Sequence, residues 1–80
     1  MSSNLYLVLK HLVDNGESVA MHIYKATWID YSSINKILII LREEGFVERK
    51  IKDKRSKLVF LTPEGNIFAK NYIQAYEMIQ

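Results

Sequence analysis

At 80 residues the chain has room for one hydrophobic core, and residues 1–80 are expected to form a single domain. Hydrophobic residues make up 49% of it, too many for a disordered chain, while a formal net charge of +2 says little about partners. The absence of cysteine excludes a disulfide framework, a thiolate metal site and a cysteine nucleophile.

Met1-Ser2-Ser3-Asn4 carries no basic residue, and the apolar run after it is broken by Lys10, His11, Asp14 and Asn15. Neither a secretory signal nor a bilayer-spanning helix is expected, so the expected location is cytoplasmic. Leu5, Val8, Leu9, Leu12 and Val13 recur at helical spacing and predict a first helix over 4–15. Asn15-Gly16 ends it, with glycine suited to the left-handed C′ position. Ser18 is a candidate cap for a short second helix over Ala20–Thr27, with Ile23 and either Ala26 or Thr27 turned inward. Asp30 is the cap expected for a third helix over 31–44, its carboxylate accepting from the amide of Ser32 or Ser33. Ile34, Ile37, Leu38 and Leu41 give that helix an apolar stripe, and Gly45 closes it.

Residues 46–51 and Lys57–Leu61 predict two strands, joined into a hairpin by the polar tip 52–56. Thr62 is the next N-cap, with Pro63 at N1 and Gly65 at N3. The last helix runs to the C-terminus with Phe68, Tyr72, Ala75 or Tyr76, and Ile79 in register. Two short helices separated by a few residues form a helix-turn-helix, and the hairpin adds a wing. The expected class is α+β, mostly α: a winged helix-turn-helix of three helices, a β-hairpin wing and an extra C-terminal helix.

Charge is unevenly placed. Residues 49–57 hold Arg49, Lys50, Lys52, Lys54, Arg55 and Lys57 against Asp53 alone, leaving the rest of the chain net acidic. Such polarisation marks a surface for DNA or membrane, although edge lysines also protect a hairpin from aggregation. Burying the stripe of the third helix leaves Tyr31, Ser32, Ser33, Asn35 and Lys36 on its other faces. Short polar side chains there can reach base edges in a major groove about 12 Å wide. Asn35 suits adenine, Lys36 guanine or a phosphate, and the serines either; the plainer reading is a solvated helix face. Ile39 and Ile40 fit neither account, and packing under the wing or against a partner are the options for them.

The run Ile34-Asn35-Lys36-Ile37-Leu38-Ile39-Ile40-Leu41-Arg42-Glu43-Glu44-Gly45-Phe46-Val47-Glu48-Arg49 resembles the MarR-type winged helix family, with PadR-like regulators close behind. It is similar to the family's recognition helix and its Leu-x-x-x-Gly-hydrophobic-Val-x-Arg turn. Asp53-Lys54-Arg55 matches the Asp-x-Arg of the family's wing tip, and Leu61-Thr62-Pro63-Glu64-Gly65 its Leu-Thr-x-x-Gly. In size the chain is similar to minimal winged helix proteins of archaeal viruses and plasmids. The resemblance implies a transcription regulator that binds double-stranded DNA sequence-specifically, as a homodimer, with 31–44 in the major groove and 49–57 in the minor groove. It implies that Arg55 enters the minor groove and that Asp53 orients it. Lys50, Lys52, Lys54 and Lys57 would then meet phosphates, with Arg49 on the same surface. The family's longer flanking helices, which build its dimer and ligand pocket, are trimmed here, which argues against a small-molecule effector.

The terminal helices carry more apolar surface than a small domain leaves wet, so a dimer seam is expected at Leu5, Leu9, Leu12, Phe68, Tyr72, Tyr76 and Ile79. Tyr24 and Trp28 are expected to fill the core rather than stack on a base or sugar. His11 and His22 read as ordinary helix histidines, with neither metal nor other cofactor expected. No glycine-rich phosphate loop, carboxylate pair or serine with a base is present, and no enzymatic activity is expected. A protein-interaction module and a non-specific architectural DNA binder are the alternatives.

Overall fold

The structure is a computed structural model that describes residues 3–79; Met1, Ser2 and Gln80, which the 1–80 domain and the N-terminal reading include, lie outside them. In chain order the elements are α1 (Ser3–Asn15), β1 (Glu17–Ser18), α2 (Ala20–Thr27), α3 (Tyr31–Glu43), β2 (Val47–Ile51), β3 (Lys57–Leu61) and α4 (Pro63–Ile79). The strands form one antiparallel sheet in the order β1-β3-β2. This is the mostly helical winged helix architecture expected, with one addition: β1 lies beside the hairpin, Glu17 facing Phe60 and Ser18 facing Val59. Two residues are too few to show an alternating pattern in sequence.

Leu9, Leu12, Ile23, Ile34, Val8 and Val47 are the largest fully buried side chains, contributed by α1, α2, α3 and β2. Gly16 at φ +80° and Gly45 at φ +79° take the left-handed backbone that ends α1 and turns α3 into β2. The Asp30 cap forms as its spacing predicts: Oδ2 accepts from the Ser33 amide at 2.9 Å and Oδ1 from its hydroxyl at 2.7 Å. α3 ends at Glu43, with Glu44 as its C-cap, and the hairpin's first strand begins at Val47 rather than Phe46.

Three expectations are corrected. Ser18 does not cap α2: it is a buried strand residue 3.0 Å from the His11 Nε2, and Val19 precedes α2 without a side-chain cap. Trp28 does not fill the core but caps the C-terminus of α2 at φ 59°, with 79% of its surface exposed and Tyr24 against its edge. Leu9 and Leu12, expected at a dimer seam, are 0% and 1% exposed inside the chain's own core, because the face of α1 that carries them packs against the chain's own helices and sheet. Leu5, Phe68, Tyr72 and Tyr76 are half-buried, and Ile79 is exposed.

α4 is held at both ends. Near its C-terminus, Tyr6 stacks on Tyr76 at 4.1 Å and donates to Glu77 Oε2 at 2.7 Å. At its start, the Thr62 amide donates to the Phe46 carbonyl, the Thr62 hydroxyl donates to the Gly45 carbonyl, and Thr62 Oγ1 accepts from the Gly65 amide. Gly65 lies so close that a Cβ there would overlap the carbonyl of Phe46, whose ring stacks on Phe68 at 4.4 Å.

Gly65→Ala is therefore expected to lower unfolding stability by about 1–3 kcal/mol, the usual penalty of overpacking, in denaturant titration; unchanged stability would mean that the helix can shift. A second expectation concerns His11. Burial, with His22 nearby, pushes its imidazole below the ordinary 6.5, so the fold favours the neutral ring. Its contribution is complete above the unfolded value and is lost as pH falls through the lowered one. Stability should decline as pH falls below the ordinary 6.5, and His11→Gln should flatten that slope; an unaltered slope would remove His11 as its source.

Candidate nucleic-acid interface

α3 and the hairpin are joined by only a tight turn at Gly45, so one face of the helix looks across to one face of the sheet. Between them lies an open cleft of about 940 Å³. On the helix side it is lined by Tyr31, Asn35, Ile39 and Arg42 in steps of about one turn, which puts them on one stripe. Leu38 closes the floor, and Ala20 and Met21 of α2 border it.

The sheet side follows from strand alternation. Val47, Arg49 and Ile51 point to one face of β2; Val47 is buried in the core, while Arg49 and Ile51, farther along, line the cleft. Lys57, opposite Ile51 in the register, and Asp53, Lys54, Arg55 and Ser56 of the tip complete the wall. Five basic residues, Arg42, Arg49, Lys54, Arg55 and Lys57, thus surround a cleft with Asp53 as its only acid.

One oxygen of that acid is engaged by the backbone. Asp53 Oδ1 accepts from the Arg55 amide at 2.9 Å and the Ser56 amide at 2.8 Å, bonds that hold its carboxyl below the usual carboxylate range. Asp53 therefore shapes the tip through the backbone on either side of the Arg55 side chain. The guanidinium of Arg55 stays exposed.

Not every expected residue shares the cleft. Lys50 lies on the opposite sheet face, its Nζ 2.9 Å from Glu17 and 5.9 Å from the centre of the Phe60 ring. Lys52 stands at the tip outside the lining, its amide donating to the Ser56 carbonyl. Ser32 and Lys36 are exposed off the stripe, and the Ser33 hydroxyl is engaged by Asp30. Arg42 and Ile51 were absent from the expected interface. Counting every third or fourth residue from Tyr31 or Asn35 would have reached Arg42, and the Val47-Arg49-Ile51 alternation would have reached Ile51. Among the described residues, no group of three or more His, Asp or Glu could hold a metal ion, and no helix is long and apolar enough to cross a membrane.

No protein-family model matches the sequence, and no curated protein matches it. Solved structures do. The chain superposes on Bordetella bronchiseptica BpsR, whose DNA binding is regulated by 6-hydroxynicotinic acid, with a TM-score of 0.86 and 25% identity, covering 99% of this chain and 57% of that one. A mutant MarR from E. coli complexed with operator DNA gives a TM-score of 0.78 at 25% identity, over 92% of this chain and 54% of that one. A probable transcriptional regulator from Pseudomonas aeruginosa gives 0.88 at 22% identity, over 99% and 61%. The chain thus spans somewhat more than half the length of these proteins, and its fold is the MarR-like winged helix-turn-helix.

Proposed function

We propose that the chain is a transcription regulator that binds double-stranded DNA sequence-specifically as a homodimer, with α3 in the major groove and the hairpin in the adjacent minor groove. The observation that carries this reading is the basic cleft between helix and wing, where five basic side chains outweigh one carboxylate whose Oδ1 is bonded to backbone amides. A cleft of one sign focuses potential on a polyanion, and each phosphate neutralised releases counterions. The MarR structure bound to operator DNA supports the same use of this fold.

In this reading Asn35 and Tyr31 reach base edges, Arg42, Arg49, Lys54 and Lys57 meet phosphates, and Arg55 enters the minor groove. Narrow minor grooves concentrate negative potential and reward a guanidinium. Ser32 and Lys36 lie at the edge of the helix contact, and Lys50 and Lys52 reach at most the flanking backbone. The second copy covers the half-buried Leu5, Phe68, Tyr72 and Tyr76 together with the exposed Ile79, and such a dimer needs its recognition helices about 34–36 Å apart to enter successive major grooves. The protein acts where the DNA is, inside the cell, and as a binding protein rather than an enzyme.

Titration against a random-sequence duplex pool at two salt concentrations, with the bound sequences read out, tests the proposal. Enrichment of an inverted repeat with steeply salt-sensitive affinity is expected; binding without enrichment would make the protein architectural, and no binding would overturn the reading. Arg55→Ala should weaken binding by about tenfold and relax preference for A·T flanks, about the worth of one good charged contact. Arg49→Ala should reduce the salt slope by about one, whereas Lys50→Ala, on the far sheet face, should leave it nearly unchanged. Equal effects of the two would place the DNA elsewhere on the sheet. Sedimentation as a monomer at micromolar concentration would remove the dimer.

A further inference from the structure

We propose that Ile39 is a specificity residue that recognises the 5-methyl group of thymine in the major groove. The inference rests on α3 being the DNA-reading helix, as above. Ile39 and Ile40 are neighbours with nearly equal exposure, 51% and 59%, yet only Ile39 lines the cleft. Half of this large apolar side chain stands in water on the helix wall of the cleft, where Met21 and Ile51 are exposed beside the basic residues. Anything that enters the cleft must dehydrate that side chain, and a polar group placed against it gains nothing in return.

The major groove offers one apolar group, the thymine methyl; every other base edge there presents hydrogen-bond donors or acceptors. Ile39 lies one helical turn after Asn35 on the same stripe, about 6 Å farther along the helix axis. Base pairs follow at about 3.4 Å along a strand, so side chains so spaced address bases one or two steps apart. Asn35 is suited to the donor and acceptor of adenine, and Ile39 to the methyl of a nearby thymine. The stripe therefore reads a short A·T-containing step, polar contact first and apolar contact second, with Arg42 one turn beyond for the backbone.

The experiment uses the duplexes recovered by selection from a random-sequence pool, resynthesised with uracil replacing thymine at each position in turn. Uracil keeps every hydrogen-bonding group and removes only the methyl. Wild-type protein should lose about fourfold in affinity at one or two thymines, the worth of one buried methyl. Ile39→Ser should bind more weakly to the thymine duplex and no longer distinguish it from those uracil duplexes. Ile40→Ser, equally exposed but outside the cleft, should discriminate like wild type, and since both positions are exposed, thermal melting should show all three proteins folded. Indifference of wild type to uracil would overturn the assignment while leaving DNA recognition intact. So would methyl discrimination that survives in Ile39→Ser or disappears in Ile40→Ser. Failure of wild type to bind any duplex would instead refute DNA recognition itself, and this assignment with it.

Discussion

The close approach of α4 to the backbone of Phe46 is the constraint on which the geometry of the cleft depends. Phe46 is the residue between the turn that ends α3 and the first residue of β2, so whatever fixes it fixes the angle between recognition helix and wing. It is held from three sides. The Thr62 amide and the backbone at Gly65 meet its carbonyl, and Phe68 meets its ring. With the Phe46 amide also donating to the Leu41 carbonyl, little freedom remains at the junction. Glycine is needed at position 65 for space and not for its torsional freedom, since its backbone lies within a helix.

Once that junction is set, the chemistry of the cleft follows from two periodicities. A helix returns to the same face every three or four residues, and a strand every second one. The first brings Arg42 into line with Asn35 and Ile39, and the second brings Arg49 and Ile51 forward while sending Lys50 back to Glu17. A nine-residue basic run is thereby sorted into a concave face, a tip and a reverse side with unequal roles. The tip is further organised by Asp53, whose Oδ1 accepts from two backbone amides.

Much of the architecture was legible because strong local signals agreed with one another. The Asp30 cap, the Thr62-Pro63-Gly65 helix start, the left-handed Gly16 and Gly45, and the alternating strands all formed near their expected positions. What was not legible depended on long-range packing. Ser18 looks like a cap in isolation, but its neighbours across the sheet and His11 draw it into a strand. Trp28 carries every mark of a core residue except the left-handed backbone, which swings it outward. Leu9 and Leu12 belong to a helix covered on several sides, so their hydrophobicity indicates burial without saying which surface provides it. The basic surface was legible as a run of charge, while its division between the two sheet faces required the register. Ser33, expected to read bases, is held back because its hydroxyl donates to Oδ1 of Asp30, the residue that caps its helix through the Ser33 amide.

The outward Trp28 has a spectroscopic consequence. It is the only tryptophan of the chain and most of its indole meets water in the folded state. The native protein should therefore emit at the long wavelength of a hydrated indole, and denaturation has little further hydration to add. Tryptophan emission is a poor witness of unfolding here, and the five tyrosines or the helical circular dichroism serve better. The same placement, at the turn between α2 and α3, makes that indole a built-in reporter of whatever settles beside the recognition helix.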